Sequence, residues 1–215
     1  MKVLSGISVL ALLMAGVATP SFATSLAPGG TATPLTNVSN PFTGSTILAN
    51  TGLVTYDVGV GQNDEDAGTV QEWALSGWSG NPGGITFVYQ VSITNSTGIA
   101  DQLTGGNYAG FTTDVFQSSV SGNTAASDAT RSANGSVVGF DFPPPSITDG
   151  DTSYYLIVAT NANSYTTGSI SVIDDHVFGT DGFAPANTPE PSTLSLLGTG
   201  LLAAGAGLRR KMLRK

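Results

Sequence analysis

The feature that most constrains this chain is residues 85–93, in which apolar and mostly polar positions alternate. The odd positions hold Ile85, Phe87, Tyr89, Val91 and Ile93. Because the side chains of a β-strand point alternately to opposite faces, this period of two predicts a strand with one buried face. Weaker runs predict further strands at 54–60, 111–116, 137–142, 154–160 and 169–173. Residues 154–158 are apolar on both faces, which predicts a central strand.

Turn residues separate these runs. Pairs such as Gly83-Gly84 and Asn134-Gly135 supply the positive φ that tight hairpins need. Between residues 24 and 187 no sustained helical period of 3.6 occurs, which predicts an all-β domain, an antiparallel β-sandwich of jelly-roll or immunoglobulin-like type. Within it, residues 24–44 are expected to be extended or to form an edge segment, and residues 69–78 fit a short helix or a strand equally well.

Charge divides the chain into an acidic middle and basic ends. Residues 24–189 carry fourteen acidic side chains and one arginine, Arg131, for a charge of −13. The last seven residues, 209–215, carry five basic side chains. A nucleic-acid binder is excluded because phosphate neutralisation needs clustered Lys and Arg. A disulfide scaffold and a thiolate metal site are excluded because the chain has no cysteine.

The N-terminus has the pattern of a secretory signal peptide. Lys2 precedes an apolar run at 3–17, Pro20 then breaks the helix, and Ala23 closes a stretch with small residues at the positions that signal peptidase requires. We therefore expect residues 1–23 to be a signal peptide cleaved after Ala23. An uncleaved membrane anchor is the alternative.

The C-terminus, residues 188–215, has three ordered parts. Pro189-Glu190-Pro191 comes first, an apolar stretch at 194–208 follows, and the chain closes on a basic tail that begins with Arg209-Arg210-Lys211. As a helix the 15-residue stretch is about 22 Å long, short of the roughly 30 Å hydrocarbon core, although thin membranes and snorkelling basic residues allow it to span. The basic residues act as a stop on the cytoplasmic side and leave the β domain outside.

These three parts resemble the PEP-CTERM sorting signal. The resemblance covers residues 188–215 and implies recognition of Pro189, Glu190 and Pro191 by an exosortase, a membrane cysteine peptidase-transpeptidase of bacteria that make extracellular polysaccharide. A plain single-pass anchor is the alternative. Residues 131–140 and 153–162 also resemble domains found on PEP-CTERM proteins, which carry no known activity.

Catalytic residues are not indicated. The single histidine, His176, lacks a Gly-x-Ser-x-Gly partner motif, since residues 77–81 depart from it at Asn81. We predict that His176 is a solvated loop residue. A glycosidase needs two carboxylates in defined roles, and nothing in the sequence ranks one acidic pair above another.

Two binding sites are candidates. Asp64, Glu65 and Asp66 place three carboxylates in one loop, and oxygen ligands of this kind suit Ca²⁺; solvated acidic loops explain the same residues. Trp73, Trp78 and Tyr108 could form a platform on which sugar rings stack if the three side chains are exposed together. Burial in the core of a sandwich explains the presence of these aromatic residues equally.

The sequence therefore predicts an exported protein that is held transiently in the inner membrane by its C-terminus and then reaches the cell surface or the extracellular matrix. Its partners are signal peptidase, an exosortase-like enzyme and, as an expectation, exopolysaccharide. We expect the β domain to be structural or adhesive and to have no catalytic turnover. A carbohydrate-binding module and a secreted hydrolase are the alternatives.

Overall fold

The structure, a computed structural model, describes residues 24–58, 66–95, 98–144, 146–174, 176–188 and Thr199. These residues form fourteen strands: β1 Thr24–Ser25, β2 Thr31–Ala32, β3 Thr36–Asn37, β4 Thr46–Asn50, β5 Val54–Val58, β6 Asp66–Ser76, β7 Ile85–Ile93, β8 Gln102–Gly105, β9 Thr113–Ser118, β10 Asp128–Arg131, β11 Val138–Asp141, β12 Tyr155–Thr160, β13 Ser164–Ile173 and β14 Val177–Ala186. Within the described part of the chain, no helix is long and apolar enough to span a membrane.

The strands form two sheets. The larger has the order β1-β9-β12-β7-β6-β4, with β3 paired to β9 and β5 paired to β6. The smaller has the order β14-β13-β8-β11-β10-β2. The strand pairs are antiparallel except for β3 with β9, which is parallel. The predicted all-β, antiparallel sandwich is thus confirmed.

The core lies between the sheets and follows from the alternation of apolar side chains. On β7 the odd positions point inward, so that Phe87 and Tyr89 are fully buried. Leu156 on β12 joins them from the same sheet, and Leu103 and Phe140 come from the smaller sheet. On β7, therefore, the face that lies between the sheets is the one that the period of two assigned to the core.

A second apolar cluster covers the outer face of the larger sheet. Trp73, Trp78 and Val88 belong to it, and the chain after β3 packs against it with Val38 and Phe42. The ring of Phe42 meets that of Trp73 edge-on at 5.3 Å between centroids. Both faces of the central strands are therefore covered, which explains why β12 is apolar on both sides. β12 pairs with β7 on one side and β9 on the other, so it is a central strand, as predicted.

The strands that were predicted differ from the observed ones mainly at their ends, and β4, β8, β10 and β14 were not predicted. The strand at 85–93 is found as β7, and the open question at 69–78 is decided by β6, a strand that runs through Ser76. The strand expected at 111–116 begins two residues later, as β9. Residues 106–112 form a turn instead, in which the Phe111 N–H donates to the Tyr108 carbonyl oxygen at 3.2 Å. The predicted signal peptide, 1–23, and the predicted helix at 194–208, apart from Thr199, lie outside the described residues.

Candidate functional site

The chain leaves the sandwich at one end, where β14 stops at Ala186. Its partner strand β13 starts there, because Ser164 pairs with Ala186. Two residues further on, Thr188 donates its backbone N–H to Asn163 Oδ1 at 2.7 Å and so ties the outgoing chain to the connection between β12 and β13. We call the connections that meet at this end the exit end: residues 77–84, 106–112, 132–137, 161–163 and 187–188.

Antiparallel pairing explains why connections far apart in sequence meet at the exit end. Ser76 pairs with Ile85 across the 77–84 connection, and Thr160 pairs with Thr113 at the beginning of β9. Hydrogen bonds then link the connections to one another. Thr112 N–H donates to Asn161 Oδ1 at 3.0 Å.

Arg131, the last residue of β10, holds the exit end together from inside. Its guanidinium is buried and donates to five oxygen atoms: Gly135 O at 3.0 Å, Leu26 O at 3.0 Å, Thr113 Oγ1 at 2.9 Å, Tyr108 O at 2.9 Å and Phe111 O at 2.9 Å. Arginine has five N–H groups, so every donor is used within the protein. Burial lowers the pKa of this guanidinium. Arg131 is therefore a structural cation that has no donor left for a ligand.

A cavity of about 220 Å³ lies beside this arginine. Leu26, Pro28 and Phe111 provide its apolar walls, and Asn134 lies at its edge. Among the described residues, no carboxylate lines this cavity. The cavity is therefore a small, mainly apolar recess beside a buried cation.

Glu72 is a fully buried carboxyl between the two sheets. It lies on β6 and accepts a hydrogen bond from the Phe183 backbone N–H of β14 at Oε2, 2.8 Å away. Burial raises the pKa of Glu72 to about 8, against the opposing effect of this hydrogen bond. Nearby, the buried hydroxyls of Tyr89 and Tyr108 hydrogen-bond each other, and burial raises the pKa of both. The group fastens β14 to the larger sheet and is closed to solvent.

Of the three predicted calcium ligands, the structure describes Asp66, which begins β6 toward the opposite end of the sandwich. Asp64 and Glu65 lie outside the described residues, so the predicted site stays a prediction. Asp66 is buried, and its Oδ1 accepts a hydrogen bond from the Ile99 N–H at 3.0 Å. Its other oxygen, Oδ2, lies 3.4 Å from His176 Nδ1. The described residues contain no group of three or more Asp, Glu or His side chains placed to hold a metal. His176 is half-buried against Asp66 and is less solvated than we predicted.

The three aromatic residues proposed for sugar stacking do not share an exposed surface. Trp73 and Trp78 are 9% and 2% exposed and lie on the outer face of the larger sheet, whereas Tyr108 is fully buried between the sheets. The sequence could not reveal this, because residues 38–45 cover the tryptophans from a distant part of the chain. These residues do not supply the joint exposure that stacking requires.

The residues predicted to carry the sorting signal follow the exit end directly. Pro189, Glu190 and Pro191, and the basic residues Arg209, Arg210 and Lys211, lie outside the described residues. The exit end itself was missed at the sequence level. The sequence does contain one feature that could have indicated the exit end: none of its five connections contains Asp, Glu, Lys or Arg.

Comparison with known proteins adds one match. No curated protein matches the chain, and no solved structure does so. Residues 187–211, which begin immediately after β14, match the family model of the PEP-CTERM protein-sorting motif. By this motif, the chain is an exported protein whose C-terminal segment is targeted to an exosortase.

Proposed function

We propose that this protein is processed by an exosortase-type enzyme within its C-terminal segment and is thereby delivered to the cell surface or the extracellular matrix. The observation that carries the proposal is the junction between fold and motif. The last strand ends at Ala186, and the matched residues begin at Asn187. The whole motif thus follows the last strand pairing along the chain, as processing by an enzyme at the membrane would require.

The chemistry of the tripeptide supports this role. Pro189 and Pro191 lack backbone N–H donors, and each restricts the residue before it to extended conformations. Such a segment resists incorporation into the neighbouring sheet and offers an extended backbone to an active site. The short apolar stretch at 194–208 and the basic tail would hold it at the membrane surface.

We further propose that the sandwich is a structural or adhesive component without catalytic turnover. Three observations support this part. The carboxyls of Glu72 and Asp66 are buried, and one oxygen of each accepts a backbone N–H. The donors of Arg131 are all satisfied internally. The cavity at the exit end has no lining carboxylate among the described residues.

The sorting role is tested by replacing Pro189, Glu190 and Pro191 together with alanine in the native host. We expect the full-length variant to accumulate in the inner-membrane fraction, whereas the wild-type protein is found processed at the surface or in the medium. The control is Ser192→Ala with Thr193→Ala, which leaves the tripeptide intact and should be processed normally. Normal processing of the triple variant would overturn the proposal.

The non-catalytic role is tested with exopolysaccharide purified from the host. We expect the purified protein to leave the number of reducing ends at the level of a protein-free sample during prolonged incubation. A time-dependent rise that scales with protein concentration would contradict the absence of turnover. Co-sedimentation with the same polysaccharide would favour an adhesive role over a purely structural one.

A further inference from the structure

The two ends of the sandwich differ sharply in charge. The five connections of the exit end contain no charged side chain. The acidic residues of the described chain lie mainly at the opposite end, which we call the far end: Asp57, Asp66, Asp101, Asp128, Asp141, Asp149, Asp151 and Asp174. An acidic domain with this distribution has one end that is neutral and one that is strongly negative.

Strand register places these acids at the far end. Asp128 pairs with Asp141 where β10 begins and β11 ends. Asp149 forms a bridge with Ile93, the last residue of β7. Asp66 lies beside His176, which follows the end of β13. All of these positions are at the ends of strands opposite to those that meet the exit end.

Three acids lie elsewhere and do not change this pattern. Glu72 is sealed in the core, and burial keeps its pKa high. Asp181 pairs with Ser169 in the middle of the β13–β14 hairpin. Asp114 is the second residue of β9, near the exit end; it is half-buried and is one carboxyl against the eight at the far end.

The connection between the sandwich and the apolar stretch is short. Only five residues separate Thr188 from Leu194. Six peptide units reach at most about 20 Å when fully extended. Thr188 is itself tied to Asn163 by hydrogen bonds from its N–H and its hydroxyl. Part of this length crosses the headgroup region, which is about 5–8 Å thick on each side of the bilayer. When the apolar stretch is in the bilayer, the connection therefore lets the exit end approach the membrane surface to within the Debye length of about 8–10 Å, and it keeps the exit end within about two Debye lengths.

We propose that the exit end is a membrane-facing surface: it lies against an anionic bilayer while the C-terminal segment is inserted, and the acidic far end points away. This inference rests on the proposed function for the insertion of residues 194–208. Bilayers with anionic lipids repel nearby negative charge. The five connections of the exit end carry no charged side chain and expose small polar residues together with Ala109 and Val137, so this end permits approach, whereas the far end would oppose it. The orientation keeps the sorting tripeptide at the depth where a membrane enzyme acts.

Orientation is measured directly with single cysteines, because the chain has none of its own. Ala109 in the exit end and Ala125 at the far end are both exposed alanines and form a matched pair. The variants Ala109→Cys and Ala125→Cys, each retaining the C-terminal segment, are labelled with a fluorophore and reconstituted into phosphatidylethanolamine vesicles that contain phosphatidylglycerol. Lipids with a nitroxide on the headgroup serve as quencher.

We expect the label at position 109 to be quenched several-fold more strongly than the label at position 125. Equal quenching, or stronger quenching at position 125, would overturn the proposal. This readout needs no exosortase. It therefore remains informative if the alanine triple variant is processed normally and the proposed function fails.

The charge argument is tested by moving one negative charge between the ends. Ala109→Asp and Ala125→Asp have the same net charge. One charge at an anionic surface corresponds to about a fivefold change in an equilibrium or rate. We expect Ala109→Asp to slow C-terminal processing by about that factor and Ala125→Asp to be processed like the wild type. Equal rates for the two variants would show that the neutrality of the exit end has no role at the membrane.

Discussion

At the scale of single residues, Arg131 unites three separate segments of the chain. Its five acceptors belong to Leu26, to the 106–112 connection with the first residue of β9 that follows it, and to the 132–137 connection. Four of these acceptors are backbone carbonyls, whose positions are set by the fold. The only cation of the domain therefore stabilises the exit end, and it does so without an acidic partner among these contacts.

Replacing Arg131 with lysine preserves the charge but leaves at least two of the five acceptors without a donor, because an ammonium has three donors on one nitrogen. We expect Arg131→Lys to lower the free energy of unfolding by roughly 2–4 kcal/mol. Urea denaturation followed by the fluorescence of the buried Trp73 and Trp78 measures this. Thr112→Ala, at an exposed position of the same end, should change it little. Equal stability of wild type and Arg131→Lys would contradict the bonding role.

Glu72 makes stability depend on pH. Its pKa is raised from 4.5 to about 8 by burial, so the folded protein binds more protons than the unfolded chain between these values. The free energy of unfolding should then fall as pH rises from about 4.5 to about 8, by on the order of 4 kcal/mol. Glu72→Gln removes this titration and keeps an acceptor for the Phe183 N–H.

The measurement is urea denaturation at several pH values across that range. At each pH the unfolding free energy of Glu72→Gln is subtracted from that of the wild type. The other titratable groups are the same in both proteins, so the difference reports on Glu72. We expect the wild type to lose stability relative to the variant as pH rises. Parallel profiles would show that Glu72 does not titrate with a raised pKa.

At the scale of elements, the β13–β14 hairpin closes the side of the sandwich by packing β14 close to β6. Gly182 is essential to that approach, because a Cβ at this position would collide with Glu72 Oε2 and with Ile170. Gly179 lies on the same strand, and the nearest atom to a Cβ there is Ser171 Oγ at 3.6 Å, an ordinary contact distance. The two glycines thus have different roles within one strand.

This contrast gives a matched pair of variants. We expect Gly182→Ala to destabilise the protein by roughly 1–3 kcal/mol because β14 must move away from β6. Gly179→Ala should be neutral or slightly stabilising, since alanine loses less conformational entropy in a strand. Thermal unfolding of both variants measures the difference. A similar effect of both substitutions would contradict the close packing of Gly182.

Elements with strong alternation were predictable, and those without it were not. β7 was found from sequence because every second residue is apolar and its strand is long. β14 escaped prediction because Gly179, Gly182 and Pro185 interrupt any pattern; an edge strand tolerates such residues, since only one side is paired. β8 and β10 are four residues each, too short for a period to be recognised.

At the scale of the whole molecule, the separation of charge affects stability as well as orientation. The far end collects eight acids, and the domain has one arginine to set against all of its acidic residues. Like charges repel in the folded state, where they are held close together. The sandwich is therefore expected to be less stable at low ionic strength.

We expect the free energy of unfolding to rise by on the order of 1 kcal/mol when salt is raised from low to physiological ionic strength, because screening shortens the Debye length from about 30 Å to about 8 Å. Chemical denaturation in sodium chloride measures this, and choline chloride at equal ionic strength should act alike. A loss of stability with added salt would contradict net repulsion.

The sequence by itself determined what depends on neighbours along the chain. The alternation in residues 85–93 specified a strand and, with the glycine turns, a β-sandwich; the three ordered parts of the C-terminus specified the sorting motif, which is recognised as a linear segment.

Only the tertiary structure decided which residues come together. It buried Trp73 and Tyr108 on opposite faces of the larger sheet, gave Arg131 its five acceptors, and gathered the uncharged connections at the exit end around Thr188. These arrangements depend on strand order and register, which join residues many positions apart, and no local pattern of side chains encodes such pairings.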